Sequence, residues 1–247
     1  MIGDRGEIIQ MRLRSLIRRE KGGAIMEKNW KRWLARSGVL FGVFAMFTVL
    51  VACVDRQPIG PAGSVVGLAA INGAIFELLG VSPFWYDLTE WMGGIAVAVV
   101  LCFGAVGACQ LVTRRSLRKV NGSVLVLGGF YGLVLGFYLL FEVWVINCRP
   151  ILTEGVLEAS YPSSHTMLVL CVMITAAMQL RILLPKKQKL CRWIDVAAGG
   201  IAAITVVGRL LSGVHWFADI VGGVLLSGAL IALYRSAVLY MEDRRDA

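Results

Sequence analysis

The sequence predicts an all-α, polytopic membrane protein with six transmembrane helices and both termini in the cytoplasm. Three observations carry that prediction. Of 247 residues, 57% are hydrophobic and 17% charged, and the mean hydropathy of +0.73 lies far outside the range of an ordinary soluble enzyme. The charges gather between apolar runs of roughly 18 residues or more, the length a bilayer core demands of a helix. The basic residues, finally, crowd onto alternate loops.

The chain opens on a basic segment, 1–36, expected on the cytoplasmic side. Its start, MIGDRGEIIQMRLRSLIRREKGGAI, precedes a second plausible opening at Met26, so it is either a basic surface helix or upstream of the true start. A cleaved signal is not expected, because the first apolar run is long and ends in CVDRQP without a small-residue cleavage pattern. The membrane domain is expected over 37–240, with spans near 37–54, 93–112, 123–146, 166–184, 193–211 and 219–240, and a cytoplasmic tail over 241–247. The outer segment 55–92 contains a further apolar stretch from Gly63 to Gly80. It is rich in Gly and Ala, is interrupted by Asn72 and Glu77, and runs into SPFWYDLTEW. It is expected to form a helix or helices that lie at the outer surface or dip into it, not to cross.

Charge decides between six spans and seven. With six, the cytoplasmic side holds ten Lys/Arg before the first span, four at 114–119, five from Arg181 to Arg192, and Arg235, Arg244 and Arg245. The outer side holds only Arg56, Arg149 and Arg209, a steep positive-inside bias. All seven tryptophans fall at or near expected span ends, where an interfacial aromatic belt would put them. The net charge of +9 is thus a topology signal, and nucleic acid is not an expected partner. Six cysteines sit mainly in apolar segments with no CxxC pair or ligand-like spacing. They are expected to be small core residues, and no metal site is expected.

Two of the three outward arginines stand beside the only two histidines in the chain. One loop reads NCRPILTEGVLEASYPSSHT, with Arg149, Ser163, Ser164 and His165; the other reads GRLLSGVHWFAD, with Arg209, His215 and Asp219. Charged groups at the edge of a membrane are costly, and their convergence on one side marks a candidate site. Two guanidinium forks suit phosphoryl oxygens. Ser163 and Ser164, at the opening of the fourth span, add hydroxyls and helix amino-terminal N–H groups for the same anion. His215 and Asp219, four residues apart, share a helix face, so the carboxylate can hold one ring nitrogen protonated and leave the other free to attack. His165 is then available as general acid and base.

These residues resemble the type 2 phosphatidic acid phosphatase superfamily, integral-membrane lipid phosphatases related to vanadium-dependent haloperoxidases. The family's three ordered motifs, K-x6-R-P, P-S-G-H and S-R-x5-H-x3-D, are matched by EVWVINCRP, PSSH and GRLLSGVHWFAD, across roughly residues 90 to 240. The resemblance implies a haloperoxidase-like helical bundle that needs no metal or other cofactor. His215 would form a phosphohistidine, Asp219 would orient it and His165 would be the acid, with Arg149, Arg209, Ser163 and Ser164 on the phosphate. The implied partner is a lipid phosphate or diphosphate at the extracytoplasmic face of the cytoplasmic membrane, undecaprenyl diphosphate first, phosphatidate or phosphatidylglycerol phosphate next. Three positions depart from the pattern. Glu142 stands in place of the lysine, Ser164 in place of the glycine, and Gly208 in place of the serine before Arg209. Glu142 would repel a phosphate, and is expected to pair with an arginine or to bond at a helix interface. It keeps two alternatives open: a phosphotransferase, or a lipid-phosphate binder without turnover.

Overall fold

The computed structural model describes residues 29–153 and 155–246; the amino-terminal segment with its two candidate starts lies outside them. Among the described residues there are seven α-helices: α1 (Asn29–Cys53), α2 (Ala69–Leu79), α3 (Pro83–Arg114), α4 (Gly122–Val143), α5 (Ser164–Leu183), α6 (Gln188–Leu211) and α7 (Phe217–Asp246). Six of them, all but α2, are long and apolar enough to cross a membrane. α2 has 11 residues, and at about 1.5 Å per residue it falls well short of a hydrocarbon core of about 30 Å.

α3 departs from the expected span. It begins ten residues before 93, so the aromatic segment assigned to the outer loop forms its first turns. Pro83 sits where helices accept proline, at the first turn, with Ser82 before it in an extended conformation. No Gly or Pro follows until Gly93, so nothing local stops the helix. Apolar length alone had cut the segment at its charges.

α5 and α7 form the centre of the bundle, each with more than half of its apolar stretch buried, while α3 is largely outward-facing. The core joins Phe44 and Val51 of α1, Leu127, Phe130 and Phe141 of α4, Met167 and Cys171 of α5, and Leu226, Leu230 and Tyr234 of α7. Helices in lipid gain little from apolar burial against one another and rely on close packing and interhelical hydrogen bonds. Both are present. Gln179 of α5 donates to Ser123 Oγ of α4 at 2.7 Å and accepts from Tyr234 OH of α7 at 3.0 Å, and Ser37 Oγ of α1 donates to the Ala229 carbonyl at 2.9 Å. A Cβ on Gly222 would come within 2.6 Å of the Tyr161 ring, and one on Gly223 within 3.0 Å of the Ser163 carbonyl, which makes these close-packing positions. Gly199 and Gly200, by contrast, face nothing within 4 Å. The cysteines also divide. Cys171 and Cys191 are buried, whereas Cys53, Cys102 and Cys109 are exposed, and all six are free.

The connections at one end of the bundle are stitched together by side chains. Asn72 of α2, fully buried, donates to the Gly67 carbonyl at 2.8 Å and accepts the Ala218 N–H at 3.0 Å, supplying an acceptor for the first turn of α7. Asn147 accepts the Gly67 N–H at 2.9 Å. That approach needs glycine, because a Cβ at Gly67 would lie 1.6 Å from the Val51 carbonyl oxygen. These bonds tie α2 and the Gly67 turn to Asn147 and to the start of α7, next to the loop that carries His215.

Candidate active site

Six segments meet at that end: the start of α3, the 144–163 loop, the start of α5, the end of α6, the 212–216 loop and the start of α7. Their meeting follows from antiparallel alternation. α6 ends where α3, α5 and α7 begin, so Arg209 on the last turn of α6 reaches side chains on the first turns of its neighbours.

Arg209 is fully buried. Its Nη1 donates to Glu90 Oε1 at 3.0 Å and to Thr89 Oγ1 at 3.3 Å, its Nη2 lies 3.4 Å from His165 Nδ1, and its Cζ stands 5.6 Å from the Tyr86 ring centre. His165 Nε2 is 3.2 Å from Glu90 Oε2. One carboxylate thus bridges the arginine and the histidine. Ser163 caps α5, its Oγ accepting the Thr166 N–H at 3.4 Å and its own N–H donating to the Asp219 carbonyl at 2.9 Å. Ser164 is the first residue of α5, so its amide belongs to the helix end that carries a partial positive charge.

His215 and Asp219 are both buried. His215 Nδ1 lies 3.6 Å from Asp219 Oδ2, and the same oxygen accepts the Trp216 N–H at 2.9 Å. The spacing expected to put both on a helix instead straddles its start: α7 begins at Phe217, and Asp219 folds back as an acceptor for the preceding turn. Ser160 and Asn147 direct polar side chains toward the same carboxylate. Burial holds the His215 pKa well below its ordinary value, reinforced by the positive charges of Arg209, Arg149 and His165, with the Ser160 backbone opposing. The imidazole is therefore neutral at neutral pH, the state in which a ring nitrogen has a free lone pair.

Arg149 comes from the other loop. Its N–H donates to the Glu158 carbonyl at 3.0 Å, and Ser160 returns the pairing to Asn147 at 2.9 Å. Its guanidinium pairs with Glu158 at 3.1 Å and donates to Thr153 at 3.3 Å. Trp216 Nε1 donates to the Cys148 carbonyl at 2.7 Å, fastening the Arg149 loop to the His215 loop. The structure thus brings together all seven residues singled out in the sequence: Arg149, Ser163, Ser164, His165, Arg209, His215 and Asp219. It also adds four that were not, Tyr86, Thr89, Glu90 and Gly93, all on one face of α3. A Cβ on Gly93 would lie 3.0 Å from the His165 ring. Their spacing of three, four and seven residues at the head of an apolar helix was the available signal, hidden by the assignment of this stretch to an outer surface segment apart from the span.

One departure from the family motifs, Gly208, finds a physical reason. A Cβ on Gly208 would stand 2.6 Å from Thr89 Cγ2 and 3.1 Å from the Trp85 ring, so α3 occupies the space a serine would need, and Thr89 supplies the hydroxyl beside Arg209. Gly208→Ser is expected to push α3 off Arg209 and to lower kcat/KM about tenfold, read from phosphate release, whereas Gly208→Ala with Thr89→Ser should recover part of the loss. Glu142, expected beside an arginine or at a helix interface, does neither of these things with Arg149 and Arg209, whose ion pairs run to Glu158 and Glu90. It is exposed at the end of α4, hydrogen-bonded with Tyr138 in a cleft shared with Ser160, Tyr161 and Ser164.

Membrane-length helices around a site of two histidines, two arginines and a buried aspartate define an integral-membrane protein equipped for an anion. Comparison with known proteins gives its family. Residues 143–242 match the PAP2 superfamily. The chain is 33% identical over 217 residues to phosphatidylglycerophosphatase B of Bacillus subtilis (strain 168), covering 78% of this chain and 91% of that protein. Its fold resembles the crystal structure described as the first transmembrane PAP2 type phosphatidylglycerolphosphate phosphatase, from Bacillus subtilis, with a TM-score of 0.58 and 20% identity over 84% of this chain and 96% of the other. The chain belongs to the PAP2 superfamily and is a membrane lipid phosphatase of that type.

Proposed function

We propose that the protein hydrolyses the phosphate of a membrane lipid through a phosphohistidine on His215, without a metal, at the extracytoplasmic face of the cytoplasmic membrane. The observation that carries this reading is the contrast between the two histidines. His215 is buried and neutral beside a carboxylate, and His165 is partly open and faces both a guanidinium and a carboxylate. One is set up as a nucleophile and the other as an acid and base.

The phosphoryl group docks among Arg149, Arg209, the Ser163 hydroxyl and the amide of Ser164, whose donors face its nonbridging oxygens. His215 Nε2 attacks phosphorus, the bond from phosphorus to the lipid oxygen breaks, and His165 gives that oxygen a proton. Asp219 stabilises the positive charge left on the imidazole. A water molecule then attacks the phosphohistidine, giving a proton back to His165 as the phosphorus–nitrogen bond breaks, and inorganic phosphate leaves.

The substrate ranking shifts from the sequence's expectation. Undecaprenyl diphosphate led there; the similarity to phosphatidylglycerophosphatase B, and the carboxylates Glu90 and Glu158 paired with the two arginines, favour a monoester of lower charge. Phosphatidylglycerol phosphate is the leading substrate. Orientation follows from the basic loops at the opposite end. The test is phosphate release by the purified full chain in detergent with EDTA, from phosphatidylglycerol phosphate, phosphatidate and undecaprenyl diphosphate. Metal-independent release, fastest from the first, is expected. Activity that EDTA abolishes, or release from none of the three, would overturn the reading.

A further inference from the structure

Arg209 and His165 share one carboxylate, that of Glu90. Its two carboxylate oxygens divide between Arg209 Nη1 at 3.0 Å and His165 Nε2 at 3.2 Å. Arg209 has no side-chain exposure, whereas Glu90 keeps 41% of its own. A fully buried guanidinium without a counter-charge is strongly disfavoured, and Glu90 is its ion-pair partner among the described residues. The half-exposed carboxylate has solvent to withdraw into; the arginine, boxed in by Thr89 and Tyr86, has not. Arg149 repeats the pattern with Glu158, the guanidinium 14% and the carboxylate 40% exposed. In both pairs the cation is the fixed partner and the anion the one with room to leave.

We propose that Glu90 is a displaceable internal anion, holding Arg209 and His165 in place in the empty site and competing with a phosphoryl group for the same donors. It is a positioning residue and takes no part in bond making. When a phosphoryl group arrives, its oxygens take the Arg209 donors and Glu90 swings toward solvent about the first turns of α3. When inorganic phosphate is left behind, the returning carboxylate repels it over a few ångströms and takes back the arginine. Glu90 therefore weakens phosphate binding and speeds product release. Gly93 and Thr89 fix the geometry, since Gly93 lets the His165 ring rest on α3 and Thr89 keeps Arg209 aligned while Glu90 is away.

The inference rests on the proposed phosphate site, and its test separates the two. Inorganic phosphate is titrated into the purified full chain in detergent, with binding read by calorimetry and by competitive inhibition of lipid turnover, in the wild type, Glu90→Gln and Glu90→Asp. Glu90→Gln keeps the shape and removes the charge, and should bind phosphate about tenfold more tightly, with the lipid KM falling in parallel. Glu90→Asp draws the charge back by one methylene and should fall between the two, which keeps the proposal testable if the glutamine variant does not fold. Phosphate binding unchanged or weaker in both variants overturns the proposal, as does turnover lost without tighter phosphate, the signature of a proton relay. No phosphate binding in any of the three proteins also overturns it. His215→Ala, assayed alongside, reports on the phosphohistidine reading separately.

Discussion

Replacing His215 by alanine is expected to lower kcat by about 10⁴-fold or more, with phosphate still bound. The loss is expected to be large because the proposed mechanism gives this nitrogen the covalent bond, and no other neutral, buried imidazole stands near. Arg149, Arg209 and the start of α5 do not depend on the His215 side chain for position: Arg209 is held by Glu90 and Thr89, Arg149 by Glu158 and Thr153, and Ser163 by the Asp219 carbonyl. Binding and chemistry therefore separate. An acid-labile phosphoryl label on the protein, seen in the wild type after quenching and absent from His215→Ala, is the direct readout. A label that survives the substitution would put the nucleophile elsewhere, and turnover that survives with no label in either protein would mean direct attack by water.

How much of this site could be read in the sequence depended on where its information lies. The two histidines, the arginines, the serines and Asp219 are rare polar residues in an apolar chain, and each costs enough at the membrane edge to announce itself. Six spans and a short seventh helix were likewise legible, because hydrocarbon thickness imposes a length and loop charge imposes a sidedness. What escaped is tertiary. Glu90 lies in a stretch that the apolar-length criterion ends too soon, and nothing local says that the first turns of α3 run alongside Arg209. Gly208 looked like a lost donor; only the approach of Thr89 and Trp85 turns it into a requirement. Glu142 could be recognised as foreign to a phosphate site, but its partner, Tyr138, stands one turn before it on the same helix, a spacing many helical side chains share.

The charge balance that results is unusual for a phosphate site, and it bears on the alternatives left open by Glu142. A carboxylate beside each arginine, with a third at the cleft of Ser164, gives an empty site whose cations are compensated. A lipid-phosphate binder without turnover gains nothing from such compensation, because it lowers affinity. An enzyme gains, since what binds phosphate too well is inhibited by its own product, and interactions shared equally by substrate and product do not raise turnover. The site's acidity therefore favours turnover over mere binding, and the proposed reaction leaves the rate to the His215 and Asp219 pair.

Asp219→Asn probes that pair without disturbing the fold, and kcat is expected to fall about 10³-fold while KM stays within about threefold. The two side chains are nearly the same size, and the asparagine oxygen can still accept the Trp216 N–H that Asp219 Oδ2 takes at 2.9 Å. The same oxygen faces His215, and the substitution takes its charge away. A carboxylate 3.6 Å from Nδ1 favours a proton there, which leaves the lone pair on Nε2 for phosphorus. An uncharged amide oxygen, held in that place by the Trp216 N–H, accepts the Nδ1 proton more weakly, so the opposite tautomer gains, with the proton on Nε2, where it blocks attack. It also removes the negative charge that stabilises the imidazolium-like intermediate. Removing a fully buried charge does not destabilise the fold by itself, so the melting temperature should hold or rise as turnover collapses. A melting temperature that falls together with kcat would assign Asp219 to the structure of the α7 start alone, and an unchanged kcat would remove it from the reaction.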